Sequence, residues 1–436
     1  MKPSINIFWF RRDLRLNDNA GLYHALKAGM PVLPIFIFDK HILDQLEDKH
    51  DKRVSFIYQA VLELQTELEK HQSSLHVHYA EPLDVFKQLS QEYNVQAVFT
   101  NHDYEPYALQ RDAAIKELLQ QHGCSFFSYK DHVIFEKDEV MKPAGGAYTV
   151  FTPYSRVWLK KLDEFYLSSY PVDKYLHRLY QQPSLVIPTL QQMGFEKAEG
   201  VTPPKQWKRE IIKDYHATRD LPAVAGTSQM GVHLRFGTIS IRHLAKVANE
   251  TNATYLSELI WREFYQAILW HFPHVGQGLA FKPAYDKIPW RHNEADFERW
   301  CNGTTGYPIV DAGMRELNET GFMHNRIRMV TASFLTKHLL IDWRWGEAYF
   351  AQKLLDYEFA SNNGGWQWAA GSGCDAAPYF RIFNPYLQTK KFDKDLVYVR
   401  KWVPEFEDFS YPKPMVEHEV ARKRALQVYG EALKPS

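Results

Sequence analysis

Short apolar segments alternate with amphipathic ones over the first 130 residues, and this alternation constrains the fold more than any other feature of the sequence. Ile5–Phe10 reads INIFWF, and Val32–Phe38 reads VLPIFIF, apolar at every position as in strands buried on both faces. The stretches Arg53–His71 and Gln110–His122 have the pattern of amphipathic helices, and Gly123 is a stop signal for the second. Strands alternating with helices in this way predict a doubly wound parallel sheet.

After this α/β region the pattern changes twice. Prolines and glycines interrupt residues 133–204, and the residues after Gln206 have helical periodicity almost throughout. We therefore predict an α/β domain over 1–132, an inter-domain linker over 133–204 and an all-helical domain over 205–436. Further strands are expected at 75–79, 97–100 and 125–128, and further helices at 255–271, 310–318, 324–338 and 347–357.

Composition excludes several classes of protein. Lys and Arg number 52, as do Asp and Glu, so the formal net charge is zero, unlike that of proteins that coat nucleic acid. Cys124, Cys301 and Cys374 are too scattered for a disulfide framework or a zinc site, so we expect no metal and a reducing compartment. The sequence contains no run of 18 apolar residues, and Met1–Trp9 lacks the pattern of a signal peptide, so none is expected. We expect a cytoplasmic protein with no membrane partner.

One predicted helix carries a stripe of functional side chains. If residues 255–271 are helical, Glu258, Trp261, Arg262 and Tyr265 share a face at positions i, i+3, i+4 and i+7. A carboxylate, an indole, a guanidinium and a phenol together suit the wall of a cavity for a planar ring. The alternative is a half-exposed face with a local Glu–Arg ion pair.

A second segment, Met323–Met329, carries polar groups at helical spacing. Asn325, Arg328 and Met329 share one face, whereas Arg326 points elsewhere and could reach a phosphate. A buried amide and guanidinium need partners, so this face lines a ligand site or a polar network. Methionine more often fills gaps in a core, which is the alternative for Met329.

A third segment combines acids, an amide and paired glycines. Asp356 and Glu358 offer carboxylates, Asn362 offers a group that both donates and accepts, and Gly364 and Gly365 allow close approach of the backbone. This combination suits a ligand with N–H donors, and a structural network of ion pairs is the alternative.

Gly226-Thr-Ser228 precedes an apolar run and suits either a helix N-cap or a phosphate site at a helix N-terminus. The chain contains no GxxxxGK[ST] and no GxGxxG, so P-loop ATP binding and Rossmann-type NAD binding are not expected. It contains no HExxH and no GxSxG either, which leaves the corresponding hydrolases without support.

Together these segments resemble the photolyase/cryptochrome family, over nearly the whole chain. The motifs that carry the resemblance are Ile7–Asp18 (IFWFRRDLRLND), Gly306–Ala312 (GYPIVDA), Met323–Arg326 (MHNR), Asn362–Trp368 (NNGGWQW) and Asp375–Pro385 (DAAPYFRIFNP). The resemblance implies an N-terminal α/β domain and a C-terminal helical domain that binds FAD in a U shape.

The resemblance also assigns residues to the cofactor. It implies that Thr227 and Ser228 hold the flavin diphosphate, that Asn362 faces the flavin N5 and that Arg328 pairs with Asp356. The implied cofactor-binding residues are Tyr215, Thr227, Ser228, Gln229, Met230, Gly231, Tyr255, Glu258, Arg262, Tyr265, Asn325, Arg328, Asp356, Tyr357, Glu358 and Asn362.

The branch within the family rests on Glu258, Asn325, Met329 and Asn362, which together resemble class I cyclobutane pyrimidine dimer (CPD) photolyases. Such enzymes repair CPDs in UV-damaged DNA by electron transfer from photoexcited FADH⁻, and photolyases are among the enzymes that flip their target base out of the duplex. Besides Glu258, Asn325 and Met329, the implied functional residues are a photoreduction chain of Trp366, Trp343 and Trp290, and a lesion- and DNA-binding set of Arg219, Trp261, Arg326, Trp368, Arg381 and Gln388.

The sequence departs from the family pattern at two sites. Gly231 lacks a hydroxyl that the family often places near the phosphate. Ala108, Gly276 and Gln277 replace the residues of folate-type antenna sites, so a folate antenna is not expected, and a deazaflavin, another flavin or an empty pocket are the alternatives. We expect a monomer without an obligatory protein partner. The alternative functions are a blue-light photoreceptor of the cryptochrome type and a non-enzymatic flavoprotein that binds DNA.

Overall fold

The computed structural model describes residues 2–200 and 202–434. By their contacts these residues form two compact units, each discontinuous in sequence. The first unit comprises Met1–Glu136, Lys161–Gln206 and Gln229–Glu250, and the second comprises Lys137–Lys160, Trp207–Ser228 and Thr251–Ser436.

The first unit is built on a five-stranded parallel sheet of order β3-β2-β1-β4-β5. Each predicted strand is present within a few residues of its expected limits, and the predicted fold class is confirmed. In the register, Ile7 of the central strand β1 lies beside Leu33 on one side and Val98 on the other. The strands are β1 Ser4–Phe10, β2 Val32–Asp39, β3 His76–Ala80, β4 Asn94–Asn101 and β5 Ser125–Tyr129.

Helices alternate with the strands in the α/β region and are the main regular structure of the chain beyond it. In chain order the first ten are α1 Ala20–Lys27, α2 Lys40–Leu43, α3 Lys52–Glu69, α4 Pro82–Glu92, α5 Pro106–Gln121, α6 Phe151–Lys161, α7 Arg209–Lys213, α8 Tyr215–Thr218, α9 Gly231–Arg235 and α10 Ile241–Thr251. The others are α11 Ala253–His271, α12 Glu294–Cys301, α13 Pro308–Thr320, α14 Asn325–Ser333, α15 Trp343–Lys353, α16 Phe359–Ala370, α17 Pro385–Phe392, α18 Val397–Trp402 and α19 His418–Ala432.

Local signals in the sequence explain where these helices begin and end. The Asp51 carboxylate caps α3 by accepting from the amides of Arg53 and Val54, and Asn252 caps α11 in the same way. Gly123, after α5, has a φ of 70°, the left-handed conformation that glycine adopts without strain. The predicted helix limits are therefore close to the observed ones at these positions.

The predicted linker is divided between the two units. Its second part, from Lys161, belongs to the first unit, because the backbone there adds hydrogen bonds to the sheet region. Tyr180 N–H donates to Val32 O at 2.8 Å, and the Gln182 side chain donates to Ser74 O at 2.8 Å. Prolines interrupt regular secondary structure here, but irregular backbone can still pack against a domain.

One predicted helix, 347–357, is displaced in the structure. The helix α15 begins at Trp343 because the Asp342 carboxylate caps it, and it ends at Lys353. The chain is extended at Leu354 and then turns toward Asp356 and Glu358. Both acids therefore lie outside helices, in the segment that leads into α16.

The second unit has a helical core rich in aromatic side chains. Trp300, Trp343 and Trp366 are among its buried residues, together with aliphatic side chains of α13 and α14. Within residues 2–200 and 202–434, no helix is both long enough and apolar enough to cross a membrane.

Candidate active site

A cavity of about 380 Å³ lies within the second unit, between α11, α14 and α16. Fourteen of its lining residues come from the set that the sequence indicates. Its wall consists of Arg219, Glu258, Trp261, Arg262, Tyr265, Asn325, Arg328, Met329, Ala332, Phe350, Leu354, Asp356, Tyr357, Glu358, Ser361, Asn362, Gly365, Trp366 and Trp368.

The stripe predicted on α11 forms one side of this cavity. Glu258, Trp261, Arg262 and Tyr265 all line it, as the helical spacing predicts. They do not form the local Glu–Arg pair of the alternative interpretation, because Arg262 Nη2 contacts Glu358 Oε1 at 2.8 Å. This ion pair therefore connects α11 to the segment before α16, on another side of the cavity.

Glu258 pairs with Arg219, which sequence reasoning assigned to DNA phosphates. Arg219 Nη1 lies 2.6 Å from Glu258 Oε1, and the Arg219 guanidinium also covers the Tyr215 ring. Burial raises the pKa of Glu258, and the positive charge of Arg219 opposes part of that rise. Glu258 is thus a carboxyl group whose proton affinity depends on whether Arg219 stays in place.

The ion pair between Arg328 and Asp356 is present. Arg328 Nη2 donates to both Asp356 oxygens at 3.0 and 2.9 Å, and Nε donates to Met323 O at 2.7 Å, so the guanidinium is held in one orientation. Asn325 and Met329 line the cavity on the same face of α14. Arg326 points elsewhere, as predicted, and donates to Asp220 at 2.7 Å.

Asn362 has a partner that sequence reasoning missed. Its Nδ2 donates to Glu347 O at 3.0 Å and to Glu347 Oε1 at 3.3 Å. Since the amide hydrogens are used in this way, the Asn362 oxygen is left to accept a hydrogen bond. Glu347 lies 15 residues away on α15, and no local pattern marks it.

Burial raises the pKa of Glu347 from its ordinary value of 4.5 to about 7, and the hydrogen bond from Asn362 opposes part of that rise. The folded protein therefore holds this proton at a pH where the unfolded chain has lost it. We expect the free energy of unfolding to decrease as the pH rises from 4.5 to about 7. In Glu347→Gln, with the same flavin content, this part of the decrease should be absent.

Urea unfolding of both proteins at several pH values measures this difference, and parallel curves for the two proteins would show that Glu347 has no raised pKa. Glu319→Gln, on α13, is a control for loss of a glutamate charge.

The remaining predicted cofactor residues are not among those that line the cavity. Tyr215 contacts the Tyr255 ring at 5.1 Å, and the Ser228 and Tyr255 hydroxyls are 2.7 Å apart. Thr227 lies in the same irregular segment as Ser228, and neither is the N-cap of the next helix, which begins at Gly231. Gln229, Met230 and Gly231 belong to the first unit.

The three predicted electron-transfer tryptophans differ in exposure. Trp366 and Trp343 are each 2% exposed, whereas Trp290 is partly exposed and packs against Tyr429. Trp366 alone of the three lines the cavity. Trp300, which the sequence did not single out, is fully buried and lies 6.0 Å from Trp366 between ring centroids.

Two further tryptophans, Trp261 and Trp368, face the same cavity. Of the other residues predicted to bind DNA, Arg381 is exposed in the segment before α17, and Gln388 lies on α17, partly exposed. The cavity residues that sequence reasoning missed are apolar or small, and nothing in their local pattern marks them: Ala332, Phe350, Leu354 and Ser361. Gly365, which the sequence indicates as a point of close backbone approach without assigning it to a site, also lines the cavity.

Comparison with known families decides how this cavity is to be interpreted. A model described as DNA photolyase matches residues 6–173, and a model described as the FAD binding domain of DNA photolyase matches residues 255–410, which contain most of the cavity wall. A deoxyribodipyrimidine photo-lyase of Synechococcus sp. is 36% identical over 98% of this chain and 96% of its own length. The chain belongs to the DNA photolyase family.

Solved structures of this family share the fold along the whole chain. A photolyase from Sulfolobus tokodaii, solved with two FAD molecules, superimposes with a TM-score of 0.81 at 34% identity, over 98% of this chain and 100% of that one. A cryptochrome from Synechocystis sp. superimposes with a TM-score of 0.84 at 25% identity, over 98% and 99%. Photolyases and cryptochromes thus share one architecture.

The residues of the cavity fit FAD, the cofactor of the family. Aromatic side chains of Trp366, Tyr265 and Phe350 give it flat apolar walls. Arg328 and Asp356 supply a donor and an acceptor at a fixed position, and Asn362 supplies an oxygen acceptor. An oxygen acceptor suits a flavin that carries a hydrogen on N5, which is the reduced form.

Proposed function

We propose that this protein is a CPD photolyase, which uses blue light and reduced FAD to split cyclobutane pyrimidine dimers in DNA. The observation that carries the proposal is the convergence of Glu258, Asn325 and Met329 with Trp261 and Trp368 on the wall of one cavity in the FAD-binding part of the chain. This set resembles CPD photolyases, and the Synechococcus relative is named deoxyribodipyrimidine photo-lyase.

Arg328, Asp356 and Asn362 would hold the flavin, and FADH⁻ bound there would supply the light-driven one-electron reduction that splits the two cyclobutane bonds, with no net redox change. The protein residues bind and orient the lesion. Trp261 and Trp368 provide flat surfaces for the flipped bases, and Met329 fills the apolar side. The lesion displaces water from the cavity as it enters, so hydrogen bonds between the protein and the lesion become stronger.

Glu258 stabilises the charge that develops on the dimer. Negative charge appears on the pyrimidine carbonyl oxygens after electron transfer, where a donor has its largest effect. Burial raises the pKa of the Glu258 carboxyl, and in its protonated form this group can donate there. Arg219, 2.6 Å from Glu258, contributes a second donor and positive charge at the same place.

DNA outside the lesion is held through its phosphates. Arg326 and Arg381 are the proposed phosphate contacts, and Gln388 is a further contact from α17.

Any antenna chromophore is proposed to be a deazaflavin or a flavin rather than a folate, because Ala108 is a buried alanine of α5. We further propose that the protein acts as a monomer in the cytoplasm.

The proposal is tested with purified, reduced protein and an oligonucleotide that carries one defined CPD. Blue light should remove the CPD, a (6-4) oligonucleotide should remain unrepaired, and dark samples should not change. Bound, reducible FAD without repair of either lesion would instead favour the photoreceptor function.

Glu258→Ala should reduce the number of dimers repaired per absorbed photon while FAD stays bound. The reason is that the variant removes a donor from the developing anion but leaves the Arg328–Asp356 pair at the flavin site intact. Quantum yield on the CPD oligonucleotide and the flavin-to-protein ratio measure the two effects. An unchanged yield would remove Glu258 from the mechanism, and Glu319→Ala, on α13 and outside the cavity wall, is the control for loss of a glutamate side chain.

A further inference from the structure

The ring of Trp261 is covered on one face by Phe151. The two ring centroids are 3.7 Å apart and the planes differ by 6°, which is a parallel stack. Phe264 contacts the edges of both rings, at 5.6 Å from Trp261 and 5.8 Å from Phe151. The Trp261 ring is therefore held from behind and from the side, and it also lines the cavity.

Phe151 is itself held in place by a residue of the DAAPYFRIFNP motif. It is the first residue of α6, it is 9% exposed, and its backbone N–H donates to Asp375 Oδ2 at 3.0 Å. Asp375 has a φ of 46°, a left-handed conformation that aspartate tolerates better than most residues. The hydrogen bond that Asp375 accepts from Phe151, and the stacking of Phe151 on Trp261, thus connect this motif to Trp261.

We propose that Phe151 is a positioning residue for lesion recognition: it fixes the Trp261 ring in the orientation that receives a flipped base. A tryptophan that is already ordered loses less conformational entropy when a base stacks on it, so the affinity for the flipped lesion increases. Affinity for undamaged duplex depends on phosphate contacts instead and does not involve this ring. Phe151 therefore increases the affinity for damaged DNA relative to the affinity for undamaged DNA.

This inference rests on the proposed function, and binding measurements separate the two. Dissociation constants are measured in the dark for a CPD oligonucleotide and for the same oligonucleotide without damage. The proteins are wild type, Phe151→Leu, Phe151→Tyr and Phe272→Leu. Phe272 directly follows α11, is partly buried and packs on Phe281, so it controls for loss of a packed aromatic ring away from Trp261.

Phe151→Leu should bind the CPD oligonucleotide roughly three- to tenfold more weakly, the loss expected when the ordering of one aromatic side chain adds to the cost of binding. Its affinity for undamaged DNA, its flavin content and its photoreduction should match wild type. Phe151→Tyr keeps an aromatic ring at this position and should distinguish damaged from undamaged DNA as well as wild type does. Phe272→Leu should also distinguish them as well as wild type does.

Full discrimination in Phe151→Leu would overturn the inference. So would an equal loss for damaged and undamaged DNA. If Phe151→Leu does not fold, Phe151→Met, which fills a similar volume without a ring, decides between the same two results. A wild-type protein that does not distinguish the two oligonucleotides would instead contradict the proposed function.

Discussion

Trp366→Phe is expected to abolish blue-light reduction of oxidised FAD while it leaves repair by chemically reduced protein intact. Trp366 is buried and lines the cavity, and the proposed function makes it the first electron donor to the flavin. Phenylalanine keeps an apolar ring at that position, but its ring is much harder to oxidise. Flavin absorbance under blue light with an external thiol measures the first effect, and CPD repair after dithionite reduction measures the second.

Trp300→Phe is the matched control for this experiment. Trp300 is also fully buried and lies 6.0 Å from Trp366, but it is not part of the cavity wall. We expect this variant to keep photoreduction. A repair defect in Trp366→Phe that persists after dithionite would show that Trp366 has a role in binding or splitting the lesion as well.

Gly364→Ala and Gly365→Ala are expected to change stability in opposite directions. An added Cβ at Gly364 would lie 2.2 Å from Cδ1 and 2.3 Å from Cε1 of Tyr265, whereas at Gly365 it would meet nothing within 4 Å. Overpacking of this kind costs about 1–3 kcal/mol of unfolding free energy. In the open position, alanine in a helix is more stable than glycine by roughly 0.5–1 kcal/mol.

Because α11 and α16 meet at Gly364, the first variant also displaces the Tyr265 side of the cavity wall, and we expect it to lose FAD. Urea unfolding of the flavin-free proteins gives the two stabilities, and absorbance gives the flavin content of each preparation. Equal stability of the two variants would mean that the Tyr265 ring moves aside at no cost.

The fold and much of the site could be predicted because they depend on local patterns. Buried parallel strands need runs such as Val32–Phe38, and a face of α11 follows directly from helical spacing, so Glu258, Trp261 and Tyr265 were placed on one wall. The family motifs then indicated how the separate segments combine, and the Arg328–Asp356 pair is present as expected.

The residues that escaped prediction act through contacts between distant parts of the chain. Glu347 matters because Asn362 donates to it, and Phe151 matters because Trp261 stacks on it, 110 residues later in the sequence. Neither position shows a motif. Arg219 was expected at DNA phosphates, but its pairing with Glu258 depends on how α8 and α11 pack, which periodicity does not determine.

The pairing of charges around the cavity has a consequence for handling the protein. Three arginines and three carboxylates line it, and they form the pairs Arg219–Glu258, Arg262–Glu358 and Arg328–Asp356. Since each charge has a partner close by, added electrolyte has little net charge to screen there. Association with DNA, by contrast, releases counterions and weakens steeply with ionic strength. High-salt washing should therefore remove co-purifying nucleic acid and leave the flavin bound.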